Sequence, residues 1–294
     1  MTPLPDPQPN PQVDKQQAWR ALIALCVGLF MTLLDQSLVA VALPRIREDL
    51  DASLNQVVWV SAVYLLAFAV PLLVTGRLGD RFGQRSVYLV GMALFTAAAL
   101  ACAFAPTIEW LIALRAVQGL GGSLLNPQPL SIITRIFPPE RRGAAMGWWG
   151  TVAGLATLTG PLLGGFLTTS VGWEWIFYVN IPFGILSLVL VAKWVPDLPS
   201  TSRSFDVVGI VVSMLAMTSL VFGLQQGQAA GWSPWIWAML AGSAVLFAVF
   251  VRLQAIAPRR GVEALVPLRL FDDPNFARGS LSIATMAFAT AANA

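Results

Sequence analysis

The sequence predicts an all-α membrane protein, and three observations predict it. Of 294 residues, 56% are hydrophobic and only 11% are charged. Apolar stretches of about twenty residues recur, the length that crosses ~30 Å of hydrocarbon at ~1.5 Å per residue. Basic residues gather in alternate connections between those stretches, as the positive-inside rule requires of an oriented bundle. The net charge of +3 is thus an orientation signal and does not point to nucleic acid. Histidine is absent, which removes imidazole bases and most transition-metal sites. Cys26 and Cys102 fall inside apolar spans and read as small buried hydrophobes. Without a nucleophile–base pair or a metal cluster, neither an enzyme nor a cofactor is expected.

Taken in order, residues 1–18 carry Pro3, Pro5, Pro7, Pro9 and Pro11 and read as a disordered tail. Span 1 is expected over Trp19–Leu43, ended by Pro44, because proline cannot continue the hydrogen-bond ladder. Spans 2, 3 and 4 follow at Val57–Thr75, Ser86–Ala105 and Trp110–Thr134. A basic loop, Arg135–Gly143, leads to span 5 at Ala144–Leu167 and span 6 at Ile176–Val195. Spans 7 and 8 are expected at Asp206–Gln225 and Trp235–Gln254. A cytoplasmic linker, 255–278, precedes a ninth apolar run at 279–294, too short to cross the bilayer. With the N-terminus inside, fifteen basic residues lie in cytoplasmic segments, while Arg45 and Arg47 alone lie outside. That bias orients the chain. The tryptophans agree, since Trp59, Trp110, Trp173, Trp175, Trp232, Trp235 and Trp237 fall at outer span ends, and Trp19, Trp148, Trp149 and Trp194 at inner ones.

Between spans 2 and 3 stands the most informative stretch, Gly76-Arg77-Leu78-Gly79-Asp80-Arg81-Phe82-Gly83-Gln84-Arg85, read as a tight charged hairpin loop. It closely resembles the loop between helices 2 and 3 of the major facilitator superfamily, although that pattern often has a second basic residue where Gln84 stands. The resemblance implies a conformational latch at Gly76, Asp80, Arg81, Gly83 and Arg85. Asp80 can meet a helix N-terminus or an arginine, and Arg81 and Arg85 can pin helix ends in one of two alternating-access states.

Two charges are embedded in the spans. Asp35 lies ~12 Å and Arg115 ~8 Å from the expected outer ends of spans 1 and 4, counting ~1.5 Å per residue. An unpaired charge at that depth costs several kcal/mol, so each should face a partner or a wet cavity. A structural ion pair that only locks two helices is one reading. The other is a proton site, since burial favours the neutral acid and a nearby guanidinium favours the carboxylate. Leu34-Asp35-Gln36-Ser37-Leu38-Val39-Ala40-Val41-Ala42-Leu43-Pro44 resembles the span 1 signature of the superfamily's fourteen-span drug:proton antiporters. Arg115-Ala116-Val117-Gln118-Gly119-Leu120-Gly121-Gly122 resembles their span 4 motif. The resemblance gives Asp35 and Arg115 the proton-coupling role, with Gln36 and Gln118 as weaker cavity-lining candidates.

Span 5 carries Gly147, Gly150 and Gly154, then Gly160-Pro161-Leu162-Leu163-Gly164-Gly165. Small residues at this spacing serve close helix packing, and Pro161 favours a kink. The stretch also resembles the antiporter motif found in exporters of the superfamily, at Gly160, Pro161, Gly164 and Gly165, which implies export. Further resemblance lies in Trp173–Gly184, Phe205–Gly209 and Pro267–Phe271, with Glu174 where the family usually has arginine. Together these imply a major facilitator-type bundle: an N-terminal six-helix half at 19–195, an inserted helix pair at 196–254, the linker, and the truncated start of a second half. The function implied is proton-coupled export of amphipathic drugs or other small organic compounds from a bacterial cell, with the proton as coupling ion and no cofactor. The expected partners are the lipid bilayer, a small-molecule substrate and a missing C-terminal half. Transport of another metabolite, or a truncated fragment that transports nothing, are the competing readings.

Overall fold

The computed structural model describes residues 14–200, 206–228, 230–257, 264–266, 268–274, 276–282 and 285, and no strand occurs among them. Eleven helices make up the bundle: α1 (Lys15–Asp49), α2 (Leu54–Ala69), α3 (Leu72–Phe82), α4 (Gln84–Cys102), α5 (Ile108–Leu125), α6 (Pro127–Ile136), α7 (Pro139–Ser170), α8 (Trp175–Tyr178), α9 (Asn180–Trp194), α10 (Val207–Gly227) and α11 (Pro234–Ile256). Among the described residues, six stretches are long and apolar enough to cross a membrane, and α2 with α3, bent by 45°, makes a seventh. α5 carries Glu109, Arg115 and Gln118; it buries the face of Leu111, Arg115 and Gln118 and leaves Trp110, Val117 and Leu120 exposed. It packs on α2 and α4, while α1 packs on α7 and α9, and contact between α4 and α9 joins the two trios.

Apolar burial falls into two clusters, one at each end of the bundle. One joins the first half of α1, through Met31, to Tyr88 and Phe95 of α4, Ile132 and Ile133 of α6 and Val191 of α9. The other joins the second half of α1, from Leu34 onward, to Val57 and Val60 of α2, Leu111 of α5 and Ile176 and Phe177 of α8. Asp35 falls at their junction. Close approach is set by small residues. A Cβ on Gly121 of α5 would lie 2.7 Å from the Phe95 backbone nitrogen of α4, so these two helices touch backbone to backbone. α10 and α11 pack on each other, with Ser243 Oγ donating to the Ala216 carbonyl at 2.8 Å. The pair meets the rest of the bundle beside α2, where Trp59 and Phe222 rings lie 5.7 Å apart.

Several expected boundaries need correction. Helix α1 starts at Lys15, inside the expected tail, and buries Ala18; residues 1–13 lie outside the described residues. It does not end at Pro44 but runs through it to Asp49. Proline removes one hydrogen bond, and Arg45 compensates by pairing with Glu48 and Asp49 in the last turn. The Gly76–Arg85 stretch is not a ten-residue loop: Gly76–Phe82 completes α3, and Gly83 alone breaks the helix at φ +88°. One glycine in the left-handed region is enough to reverse the chain there. The bend in span 2 lies instead at Val70–Pro71, where proline cannot donate. Span 4 is interrupted at Asn126–Pro127, and the expected loop Arg135–Gly143 is almost wholly helical, with Arg141 and Arg142 in the first turn of α7. α7 passes Pro161 without a break. Trp173 is buried against Phe177 and belongs to the core, not to an interfacial belt. In the 255–278 linker, Leu268–Asp272 forms a 3-10 helix and residues 276–282 are already helical before and through Gly279. The remainder of the ninth run, except residue 285, lies outside the described residues.

Candidate functional site

Asp35 on α1 is 0% exposed and Arg115 on α5 is 1% exposed. Arg115 Nη1 donates to Asp35 Oδ2 at 2.8 Å. The other oxygen, Asp35 Oδ1, accepts from Gln118 Nε2 at 2.9 Å and from Asn180 Nδ2 at 2.8 Å. Arg115 Nη1 also donates to Gln118 Oε1 at 2.8 Å, and its Nε reaches the Val60 carbonyl at 3.4 Å. Beneath the guanidinium lies the Tyr64 ring, 4.1 Å from Arg115 Cζ to the centroid. Such a face attracts a cation more strongly when water is excluded. α5 and α9 therefore meet α1 at one carboxylate, and α2 meets the guanidinium paired with it.

The local reasons are simple. Gln118 follows Arg115 by three residues on α5, so the two side chains share a face. Asn180 is the first residue of α9, and its Nδ2 also donates to the Ile176 carbonyl at 3.1 Å, one turn back in α8. A carboxylate with acceptor-only oxygens, meeting three donors, has the geometry of the ionised form. Its burial is not a source of stability by itself, since desolvating two charges costs about what their attraction returns. What the arrangement provides is a sensitive contact: removing the charge on either side changes the energy of holding α1 against α5.

The predicted pair is thus brought together, and Gln118 joins it. Gln36 does not; it is half-buried and takes no part in the hydrogen bonds of Asp35. Asn180 and Tyr64 were not singled out as site residues in the sequence. Each is a polar group inside an apolar run, and for Asn180 that is the signal: an amide deep in a span needs a partner.

The Major Facilitator Superfamily family model matches residues 25–294. The chain belongs to the Major Facilitator Superfamily. Among curated relatives, an uncharacterised MFS-type transporter of Mycobacterium tuberculosis (strain ATCC 25618 / H37Rv) is 52% identical over 92% of the chain and 46% of the relative. The tetracenomycin C resistance and export protein of Streptomyces glaucescens is 38% identical over 92% of the chain and 50% of its own length. Multidrug resistance protein 3 of Bacillus subtilis (strain 168) is 33% identical over 88% and 50%. The chain spans about half the length of the curated relatives it matches. Among solved structures, a peptide transporter, POT, superposes with a TM-score of 0.58 at 18% identity, covering 84% of this chain and 56% of that one. At that identity the likeness concerns the fold, an all-α facilitator bundle in a multi-pass membrane protein.

In this facilitator chain the Gly76–Arg85 residues expected to act as a latch lie in a charged cluster at the end of the bundle opposite Arg45. Gln84 Nε2 donates to Asp80 Oδ1 at 3.3 Å, and Gln84 Oε1 accepts from Arg135 Nη1 at 3.1 Å. Gln84 is buried, so the residue that departs from the family pattern bridges Asp80 to an arginine supplied by α6. Arg85 pairs with Asp197 at 2.7 Å and also bonds the Ala192 carbonyl at the end of α9. Arg81 lies over the Phe82 ring at 5.4 Å. Gly76 approaches Pro127 of α6, and Gly83 makes the turn. In α7, Gly160 and Gly164 face α1: a Cβ on Gly160 would fall 2.2 Å from Ser37 Oγ, and one on Gly164 3.2 Å from Val41 Cβ. Gly165 faces open space, and Pro161 is exposed. The motif therefore splits between a packed face and a face with no neighbour among the described residues.

Proposed function

We propose that this chain is the first part of a proton-coupled exporter of small amphipathic organic compounds, in a bacterial cell membrane with the N-terminus in the cytoplasm. α1–α9 form one six-span half, α10 and α11 an inserted pair, and transport requires a second half. The observation that carries the reading is the buried contact between Asp35 and Arg115, which joins α1 to α5 at the junction of the two apolar cores. An intramembrane ion pair is costly to keep and is expected where a charge must change during function. The names of the relatives support export, since they include an antibiotic export protein and multidrug resistance proteins. The Gly160–Gly165 stretch and the fifteen-to-two basic bias in the sequence support direction and orientation.

Ionised Asp35 holds Arg115 and keeps α1 and α5 together. A proton delivered from cavity water neutralises Asp35 and weakens that hold. The two helices can then adopt the other packing, as the two halves rock about the midplane site. The cluster around Asp80, Gln84, Arg135 and Arg85 holds the helix ends in one of those packings and must open in the other. Arg115 loses no charge in the cycle, because guanidinium stays protonated. The test uses the complete reading frame in proteoliposomes with an imposed proton gradient and an amphipathic cationic dye. Uphill dye movement that a protonophore abolishes is expected. Dye movement indifferent to the gradient refutes proton coupling.

A further inference from the structure

Asp35 has two oxygens, and their surroundings differ. Oδ2 faces Arg115 Nη1 at 2.8 Å. Oδ1 faces two side-chain amides, Gln118 Nε2 at 2.9 Å and Asn180 Nδ2 at 2.8 Å. Each amide is fixed by a second bond. Gln118 Oε1 accepts from Arg115 at 2.8 Å, so turning the amide would set an NH2 against a guanidinium. Asn180 Nδ2 donates to the Ile176 carbonyl at 3.1 Å, so turning it would set two oxygens against each other. Asn180 keeps this orientation although its own Oδ1 finds no donor among the described residues. Both groups are fully buried, and water does not compete for Oδ1.

Resting on the proton-coupling reading, we infer that Asn180, together with Gln118, is a positioning residue that reserves Asp35 Oδ1 as an acceptor and so directs the incoming proton to Oδ2, the oxygen that Arg115 occupies. A proton on Oδ1 would point at two N–H groups that cannot turn away. On Oδ2 it replaces a single hydrogen bond. The step balances simply: a hydronium ion that reaches the site gives up a proton and leaves as water, an O–H bond forms at Oδ2, the Arg115 hydrogen bond to that oxygen breaks, and Asp35 passes from one negative charge to none. Arg115 keeps its charge and its contacts with Gln118, the Val60 carbonyl and the Tyr64 ring. The other titratable groups near Asp35 are Tyr64 on α2 and Cys102 on α4, whose Sγ lies 3.9 Å from Gln118 Oε1; α9 presents the neutral Asn180, and α7 meets α1 through Gly160 at Ser37. Proton and arginine thus compete for one atom, which makes occupancy by one exclude the other. With a proton on Oδ1 both could be bound at once, and the proton would not release α5.

The decisive readout is the carbonyl stretch of protonated Asp35 in infrared difference spectra of the purified chain in lipid nanodiscs, high pH against low pH. Asp35→Asn identifies the band by its loss. In the unaltered chain the acid carbonyl is Oδ1 with two donors, so the band is expected at the low-frequency end of the carboxylic-acid range. Asn180→Leu and Gln118→Leu each remove one donor and are expected to move it to higher frequency, while a structural role alone would leave it in place. A band unmoved in both variants puts the proton on Oδ1, with Oδ2 and its Arg115 donor as the carbonyl, and overturns the inference; a band at the high-frequency end in the unaltered chain shows a carbonyl without donors and overturns it too. If low pH produces no Asp35 band while the chain remains helical by circular dichroism, the proton-coupling reading itself fails.

Discussion

Removing one member of the Asp35–Arg115 pair should cost more than removing both charges. Asp35→Asn leaves Arg115 in a site 1% exposed, with the Gln118 oxygen, a long bond to the Val60 carbonyl and the Tyr64 face as its remaining partners. Breaking a buried pair in this way costs about 3–5 kcal/mol, because an uncompensated charge stays behind. Arg115→Met leaves a carboxylate that still has two amide donors and can also escape its penalty by taking a proton, which a guanidinium cannot do by losing one. Asp35→Asn should therefore be the more costly single change. The double variant contains no buried charge and retains an acceptor at position 35, so it should be no less stable than Asp35→Asn alone. The coupling energy is then at least the whole cost of Arg115→Met, which should exceed the ~0.5 kcal/mol scatter of independent sites. Denaturant-induced unfolding of the four purified chains in detergent measures this cycle. Additive losses, with the double variant the least stable of the four, would refute the claim that the two charges depend on each other.

Three further outcomes follow from particular contacts. Gly160→Val should push α7 off α1 and lower thermal stability by about 1–3 kcal/mol, the cost of overpacking, whereas Gly154→Ala, with open space around it, should not lower the melting temperature. Gly83→Ala places a side chain at φ +88° between α3 and α4 and should cost about 1–2 kcal/mol in the same assay. A cysteine at Phe82, an exposed latch position, should react with impermeant thiol reagents only from the cytoplasmic side; labelling in intact cells would reverse the proposed orientation.

The existence of the helices and the central pair was legible because both rest on strong local signals. Twenty apolar residues have few alternatives, and a charge within such a run demands a partner. Helix ends were less legible. Pro44 looked like a break and Pro161 like a kink, yet the helix continues through both, since each removes one hydrogen bond while neighbouring turns retain theirs. Pro71 and Pro127 sit at breaks instead, and nothing in the local sequence separates the two pairs. The latch looked like a loop because Arg77, Asp80, Arg81 and Arg85 are polar, but charged residues extend a helix readily where its end leaves the apolar region. Gln84 looked like a minor departure from a pattern; only the approach of Arg135 from α6 shows what its amide joins. Asn180 needed the third dimension too, since its partner is 145 residues earlier.

The most direct measurement of the central claim is proton-driven export by the complete protein carrying Asp35→Asn. With export normalised to the amount of inserted protein, dye bound on one side should still exchange across the membrane, and accumulation against a gradient should be lost. Uphill, protonophore-sensitive export by Asp35→Asn at the unaltered rate would contradict the account and leave Asp35 and Arg115 as a bridge that only joins α1 to α5.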